Sequence, residues 1–160
     1  MDAVIREATP TDVPQILHCI KELARFEKEP DAVTISEKEL LSEGFGEDAL
    51  FTCFVAERAE EIVGIALVYF RFSTWKGRTL HLEDLIVTQD QRGKGIGKAL
   101  YQRVIQYAYE QGVERLEWVV LDWNQGAIDF YEKSGATLLK NWYLAQMDPN
   151  AMKTYLDRNT

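Results

Sequence analysis

One short stretch constrains this chain more than any other. Arg92-Gly93-Lys94-Gly95-Ile96-Gly97 follows an apolar segment, Leu82 to Val87, and opens a helical pattern. In that pattern Ile96, Leu100, Val104 and Ala108 recur every fourth residue, and Gly112 ends it. A strand, a glycine loop and a helix start in succession aim several backbone N–H groups at one point. The helix dipole adds partial positive charge there. Glycines let the backbone approach a diphosphate without Cβ clashes. Lys94 and Lys98 add cationic charge. The spacing excludes two rivals. A Walker loop needs Lys followed by Ser or Thr, and Gly95 follows Lys94. The dinucleotide fingerprint Gly-x-Gly-x-x-Gly is also unmet, because this loop reads Gly-x-Gly-x-Gly. The plain alternative is a glycine-rich turn with a structural job only.

The rest of the chain frames the loop as part of a mixed α/β sheet. Val4 to Glu7 reads as a first strand. Thr11 can cap a helix with Asp12 and Pro14 in its first turn. Val13, Ile16, Leu17, Ile20, Leu23 and Ala24 then form one apolar face. Ser36 with Glu39 is a capping box for a second helix, ended by Gly44 and Gly46. Strands are expected over Leu50 to Glu57, Ile62 to Phe72 and Thr79 to Thr88, with Glu60-Glu61 turning between the first two. Leu116 to Leu121 reads as a buried strand, and Asn124 to Ser134 as a helix capped by Gly135. Thr137 to Met147 can supply a last strand, and Asp148-Pro149 a last helix. Hairpins in the first half and strand-helix-strand units in the second give a mixed sheet with helices on its faces.

Composition narrows the function. The chain has 160 residues, 46% hydrophobic and 28% charged, which suits one soluble domain over 1–160. No stretch is long and apolar enough for a membrane span, and Met1 to Glu7 lacks a secretory start; a cytoplasmic protein is the expectation. Cys19 and Cys53 have no redox or metal spacing, and His18 and His81 are the only histidines, so no metal is expected. The net charge of −8 disfavours nucleic acid and would attract a small cationic substrate. Two positions carry acid–base chemistry. Glu83 and Asp84 interrupt an apolar strand, where unpartnered carboxylates are costly. Tyr131 follows Asn124 by two helical turns, so both can face one ligand.

Arg92-x-x-Gly95-x-Gly97 resembles the Arg/Gln-x-x-Gly-x-Gly/Ala signature of the GNAT acyltransferase superfamily. Ser73-Thr74-Trp75-Lys76-Gly77-Arg78, Leu82-Glu83-Asp84 and Leu121-Asp122-Trp123-Asn124-Gln125 resemble the diamine acetyltransferases. That family includes spermidine/spermine and thialysine N-epsilon-acetyltransferases. The likeness runs from Ile5-Arg6 to Gly135-Ala136.

The resemblance implies direct acetyl transfer from acetyl-CoA, lying in a V-shaped opening between two parallel strands, to a small amine. It implies pantetheine contacts at Leu85, Ile86 and Val87, and a pyrophosphate cradle at Arg92, Gly93, Lys94, Gly95, Ile96, Gly97 and Lys98. Asn124, Gln125, Gly126 and Ala127 would complete the cofactor site. Tyr131 would be the general acid. Glu83 would contact the amine and relay its proton through water, with Asp84 a second acidic contact. Phe26 and Glu27 match another substrate edge, where the family often has Tyr at the first position. Ser73, Thr74 and Trp75, with Leu121 and Asp122, resemble the thialysine branch; the hydroxyls could donate to a substrate carboxylate. A homodimer is implied. One departure stands out: Thr137 to Asn141, before Trp142, is shorter than the family's acidic segment and carries Lys140. In the family that segment lies near the dimer interface. Spermidine or spermine, another small amine or a protein N-terminus are alternative acceptors, and a non-catalytic acyl-CoA-binding module is the alternative of another kind.

Overall fold

The computed structural model describes residues 2–158. The chain divides into two compact units, one ending at Val119 and one starting at Val120.

The first unit is a five-stranded sheet of order β1-β2-β3-β4-β5 with three helices. Its strands are β1 (Val4–Glu7), β2 (Thr52–Arg58), β3 (Glu61–Ser73), β4 (Gly77–Val87) and β5 (Leu116–Glu117). The first four run antiparallel to their neighbours, and β5 is parallel to β4. The helices are α1 (Val13–Phe26), α2 (Glu37–Phe45) and α3 (Ile96–Glu110). Strand alternation assigns the two faces. Cys53, Val55, Ile65, Leu67 and Ile86 pack with Ile16 and Cys19 of α1. Phe54, between Cys53 and Val55, points the other way and meets Tyr107 of α3 edge-on at 5.3 Å. Burial pushes the Cys19 thiol up to about 12, and Cys53 also upward, as expected of inert core thiols.

Local chemistry moved two boundaries. Thr9, not Thr11, caps the turn Pro10–Asp12 that leads into α1, because Asp12 accepts from the Thr9 N–H at 2.7 Å. The same carboxylate takes a fork from Arg6 of β1 at 2.8 and 3.0 Å, which holds it down at about 2. The capping box at Ser36 and Glu39 forms as expected, but α2 runs past Gly44 to Phe45. The β2–β3 hairpin turns on Ala59 and Glu60, with φ of 51° and 64°. Two left-handed residues match the twist of a tight hairpin, even without the usual Asn-Gly.

Two strand expectations were only partly met or not met. β5 keeps Leu116–Glu117 alone, paired to Leu80 and His81. β4 bulges at Glu83 directly afterwards, and a bulge disrupts the ladder and turns the strand. The parallel pairing of β4 with β5 is limited to these two residue pairs.

The second unit holds α4 (Gln125–Lys133) and α5 (Pro149–Arg158). Gly135, at φ 101°, ends α4: its N–H bonds Glu132 O, and that of Ala136 bonds Tyr131 O, both at 3.1 Å. Asp148 and Pro149 open α5 as expected, with Asp148 accepting from Ala151 N–H at 2.7 Å. Thr137 to Met147 is not a strand. Among its described residues this unit holds no strand for it to pair with, and a lone strand is unstable in water. Trp142, Tyr143 and Leu144 are exposed instead. No helix among the described residues is long and apolar enough to cross a membrane.

Candidate active site

The bulge in β4 organises the site. Val68 pairs with Leu82 and Leu67 with Asp84, leaving Glu83 as the extra residue. Without it, strand alternation would put Glu83 and Asp84 on opposite faces. With it, Asp84 sits level with Leu67 on the α1 face. Glu83 stays on that face too, where Tyr69 of β3 donates to it. Two adjacent carboxylates thereby share one side of the sheet, beside the end of α1.

Their environments differ. Glu83 Oε2 accepts from the Tyr69 hydroxyl at 2.9 Å and lies 3.4 Å from His81 Nε2. Hydrogen bonding from His81 first, and from Tyr69, holds Glu83 below the usual carboxylate range against the opposing effect of burial. Burial and the Glu83 carboxylate push the Tyr69 hydroxyl up to about 12. Among the described residues no such donor reaches Asp84. Burial first, then the nearby charges of Glu83 and Glu27, push it up to about 7. Its carboxyl lies deeper than the partial exposure of the residue suggests. Burial also raises Glu27. Glu27, Glu83 and Asp84 are therefore brought together, with Phe26 beside Glu27 under the Arg92 guanidinium at 5.1 Å.

The glycine loop follows β4. Gly93 and Gly95 have φ of 76° and 81°, and a Cβ on either would meet nothing within 4 Å. The requirement for glycine is thus conformational, and the loop presents open backbone. Gly95 is the N-cap of α3. The N–H groups of Ile96, Gly97 and Lys98 begin the helix and have no partner four residues back within it. The two basic side chains before them are otherwise engaged. Arg92 Nε donates to Val87 O at 2.9 Å, and Lys94 Nζ to Asp90 O at 3.1 Å and Gln91 Oε1 at 2.9 Å. Leu85, Ile86 and Val87 pair with Ala66, Ile65 and Gly64 of β3. On its other edge β4 has no strand partner beyond His81 among the described residues. That free edge, leading into a cradle of N–H groups, fits an extended amide chain ending in a diphosphate.

Ser73, Thr74 and Trp75 are not brought to the carboxylates. They form the β3–β4 turn, where Ser73 Oγ accepts from Trp75 and Lys76 N–H, both at 3.2 Å. Ser73 pairs with Gly77, and the strand from there to Glu83 spans about 20 Å.

In the second unit Leu121 is half-buried and Asp122 exposed. Asn124 is the N-cap of α4, its Oδ1 accepting from Ala127 N–H at 3.4 Å. Gln125 donates to Asp129 at 2.6 Å, and Gly126 is open. Tyr131 is half-buried and meets the Phe130 ring edge-on at 5.5 Å.

Tyr69 and His81 were missed from the sequence. His81 was readable in principle, two residues before Glu83 and so on its face; Tyr69 needed the β3–β4 register.

Residues 15–136 match the model of the acetyltransferase (GNAT) family. The thialysine N-epsilon-acetyltransferase of Bos taurus is 40% identical, over 94% of this chain and 95% of that protein. The human spermidine/spermine N(1)-acetyltransferase-like protein 1 is 38% identical over 88% of this chain, which spans 22% of that longer protein. The solved integron cassette protein from the V. cholerae mobile metagenome superposes with a TM-score of 0.79, at 24% identity and 98% coverage of both chains. The family match and the shared fold make this an acyltransferase fold, and the chain belongs to the GNAT acetyltransferase family. It is an acetyltransferase enzyme.

Proposed function

We propose that this enzyme transfers acetyl from acetyl-CoA to a primary amine of a small diamine or lysine-like amino acid, with thialysine the type substrate. The observation that carries this reading is the bulge-placed pair Glu83 and Asp84, on the strand that leads into the glycine loop. Kinship with thialysine N-epsilon-acetyltransferases supports it. The net charge of −8 favours a cationic acceptor.

Acetyl-CoA supplies an activated acetyl thioester. The N–H groups from Gly93 to Lys98 bind its pyrophosphate, and the free edge of β4 at Leu85, Ile86 and Val87 holds its pantetheine arm. Arg92 and Lys94 act chiefly by bracing this loop, given their side-chain bonds to Val87, Asp90 and Gln91. Asn124 shapes the start of α4, where Gln125, Gly126 and Ala127 complete the cofactor site. Glu83, kept ionised, accepts a hydrogen bond from the substrate ammonium and conducts its proton to water. Asp84 and Glu27 accept further hydrogen bonds from the ammonium, next to Phe26. Tyr131 gives its hydroxyl proton to the departing thiolate.

The remaining assignments depend on assembly. Ser73, Thr74 and Trp75 lie too far from Glu83 to hold the carboxylate of a substrate whose amine sits there. They serve only if a second copy brings its own turn to the site, and Leu121 and Asp122 flank the substrate on the same reading. A homodimer is proposed accordingly; exposed Trp142, Tyr143 and Leu144 support it. Residues 1–160 act as one catalytic domain, since the family match crosses the division at Val119. The enzyme is proposed to be cytoplasmic.

A thiol-release assay across thialysine, lysine, spermidine and spermine tests this. The expected result is the highest kcat/KM on thialysine. A maximum on spermine would move the enzyme to polyamines. Tight acetyl-CoA binding without turnover of any amine would make it an acyl-CoA-binding module.

A further inference from the structure

Across β3, β4 and the edge strand β5 one row of polar side chains stands in register. Tyr69 of β3 pairs with His81 of β4, which pairs with Glu117 of β5. His81 is buried, and its ring stacks at 36° on Tyr69 with centroids 5.1 Å apart. Its two nitrogens face different partners. Nδ1 is 3.3 Å from Arg71 Nη1 and 3.9 Å from Glu117 Oε1, while Nε2 is 3.4 Å from Glu83 Oε2. Arg71 and Arg115 both clamp Glu117, at 2.6 and 2.9 Å.

The donor inventory assigns the tautomer. A guanidinium only donates, so the contact with Arg71 makes Nδ1 the acceptor. The ring proton then lies on Nε2, the nitrogen 3.4 Å from Glu83 Oε2. The Tyr69 hydroxyl donates to the same oxygen, Oε2. Both donors converge on one side of the carboxylate. No protein group among the described residues bonds Oε1, which is left to face a ligand or water.

We propose that His81 is a positioning residue for acetyl transfer: Arg71 locks its tautomer, and its Nε2–H, with the Tyr69 hydroxyl, orients the Glu83 carboxylate so that Oε1 is presented to the substrate amine. This rests on the reading of Glu83 as the group that takes the amine proton. It adds a device that the carboxylate pair alone does not provide. A hydrogen bond to a charged group is among the stronger ones, and here it also selects which oxygen reacts. The lowered proton affinity of Glu83 agrees, with His81 as its largest cause. The other charged and titratable groups around Glu83 are Tyr69 and Arg71 on β3, Asp84 on β4, Arg115 and Glu117 at β5, and Glu27 beyond α1.

Side-chain geometry supplies the test. Gln can place an amide N–H near the position of imidazole Nε2, whereas Asn places its polar atoms near Nδ1. The variants His81→Gln and His81→Asn are compared on thialysine with saturating acetyl-CoA from pH 5 to 9, with Glu83→Gln as control. His81→Asn should lose about tenfold in kcat, because one charge-assisted hydrogen bond is gone. Its acidic limb should move to higher pH, and its acetyl-CoA KM should stay within about twofold. His81→Gln should recover kcat to within about threefold of the parent and restore the limb. Equal losses in the two variants, or an unmoved acidic limb in His81→Asn, would overturn the inference. If Glu83→Gln retains full kcat, the proton role of Glu83 fails, and this inference with it. If Glu83→Gln is inactive while His81→Asn matches the parent, only the role of His81 fails.

Discussion

The segments before and after the division at Val119 carry their candidate residues in opposite ways. Among the described residues, every buried apolar side chain except Ile128 belongs to the first. There the carboxylates sit on a packed sheet, held by register and a bulge. In the second, Tyr131 rides on a short helix whose ends are well capped but which has only Ile128 buried. Precision at Glu83 comes from packing, and precision at Tyr131 depends on whatever completes the environment of α4.

The largest expected effect tests that contrast through stability. Phe54→Ala removes a fully buried ring from between α3 and the sheet and should cost about 4 kcal/mol in chemical denaturation. Tyr143→Ser, in the second segment, should change stability by less than about 0.5 kcal/mol. A comparable loss in both would show that the second segment is covered, as in a dimer.

Next in size is chemistry. Tyr131→Phe should lower kcat about 100-fold, with the acetyl-CoA KM unchanged. An unchanged kcat in the thiol-release assay would remove Tyr131 as the acid.

A smaller effect distinguishes the two carboxylates. Folded Asp84 binds its proton up to about pH 7, well above an ordinary Asp. Between roughly pH 4 and 7 the folded state therefore holds the extra proton, and stability falls as pH rises through that window. Above it the ionised, buried group costs its full amount. Asp84→Asn should raise stability at pH 8 by about 1–3 kcal/mol, and the gain should vanish near pH 4. Urea denaturation at both values checks it; no gain at pH 8 would mean that Asp84 is well solvated.

The smallest expected effect lies in the hairpin. Replacing Ala59 and Glu60 together by Asn-Gly relieves two left-handed residues and should add about 0.5–1 kcal/mol, seen as a higher Tm.

What the sequence made legible follows the same division. Helix faces and caps were readable because they are local: Val13, Ile16 and Leu17, the Ser36–Glu39 box, and Gly135 all behave as their spacing implies. The glycine loop was readable because its conformation is written in Gly93 and Gly95. The bulge was not, since a bulge shows only when β3 is set against β4. The sequence set two carboxylates on adjacent positions of one strand; the structure adds that Tyr69 and His81 brace Glu83 and that no donor among the described residues braces Asp84. Thr137 to Met147 misled because its apolar residues suit a strand, yet a strand requires a partner that local pattern cannot supply. Ser73 and Thr74 matched their family, but only the length of β4 reveals their distance from Glu83.

The division of labour between Glu83 and Asp84 is tested most directly by steady-state kinetics of Glu83→Gln and Asp84→Asn on thialysine at pH 8. Glu83→Gln should lose at least about 100-fold in kcat with little change in amine KM, as expected for a proton-transfer group. Asp84→Asn should mainly raise the amine KM. The opposite split, with kcat lost in Asp84→Asn and kept in Glu83→Gln, would contradict the assignment.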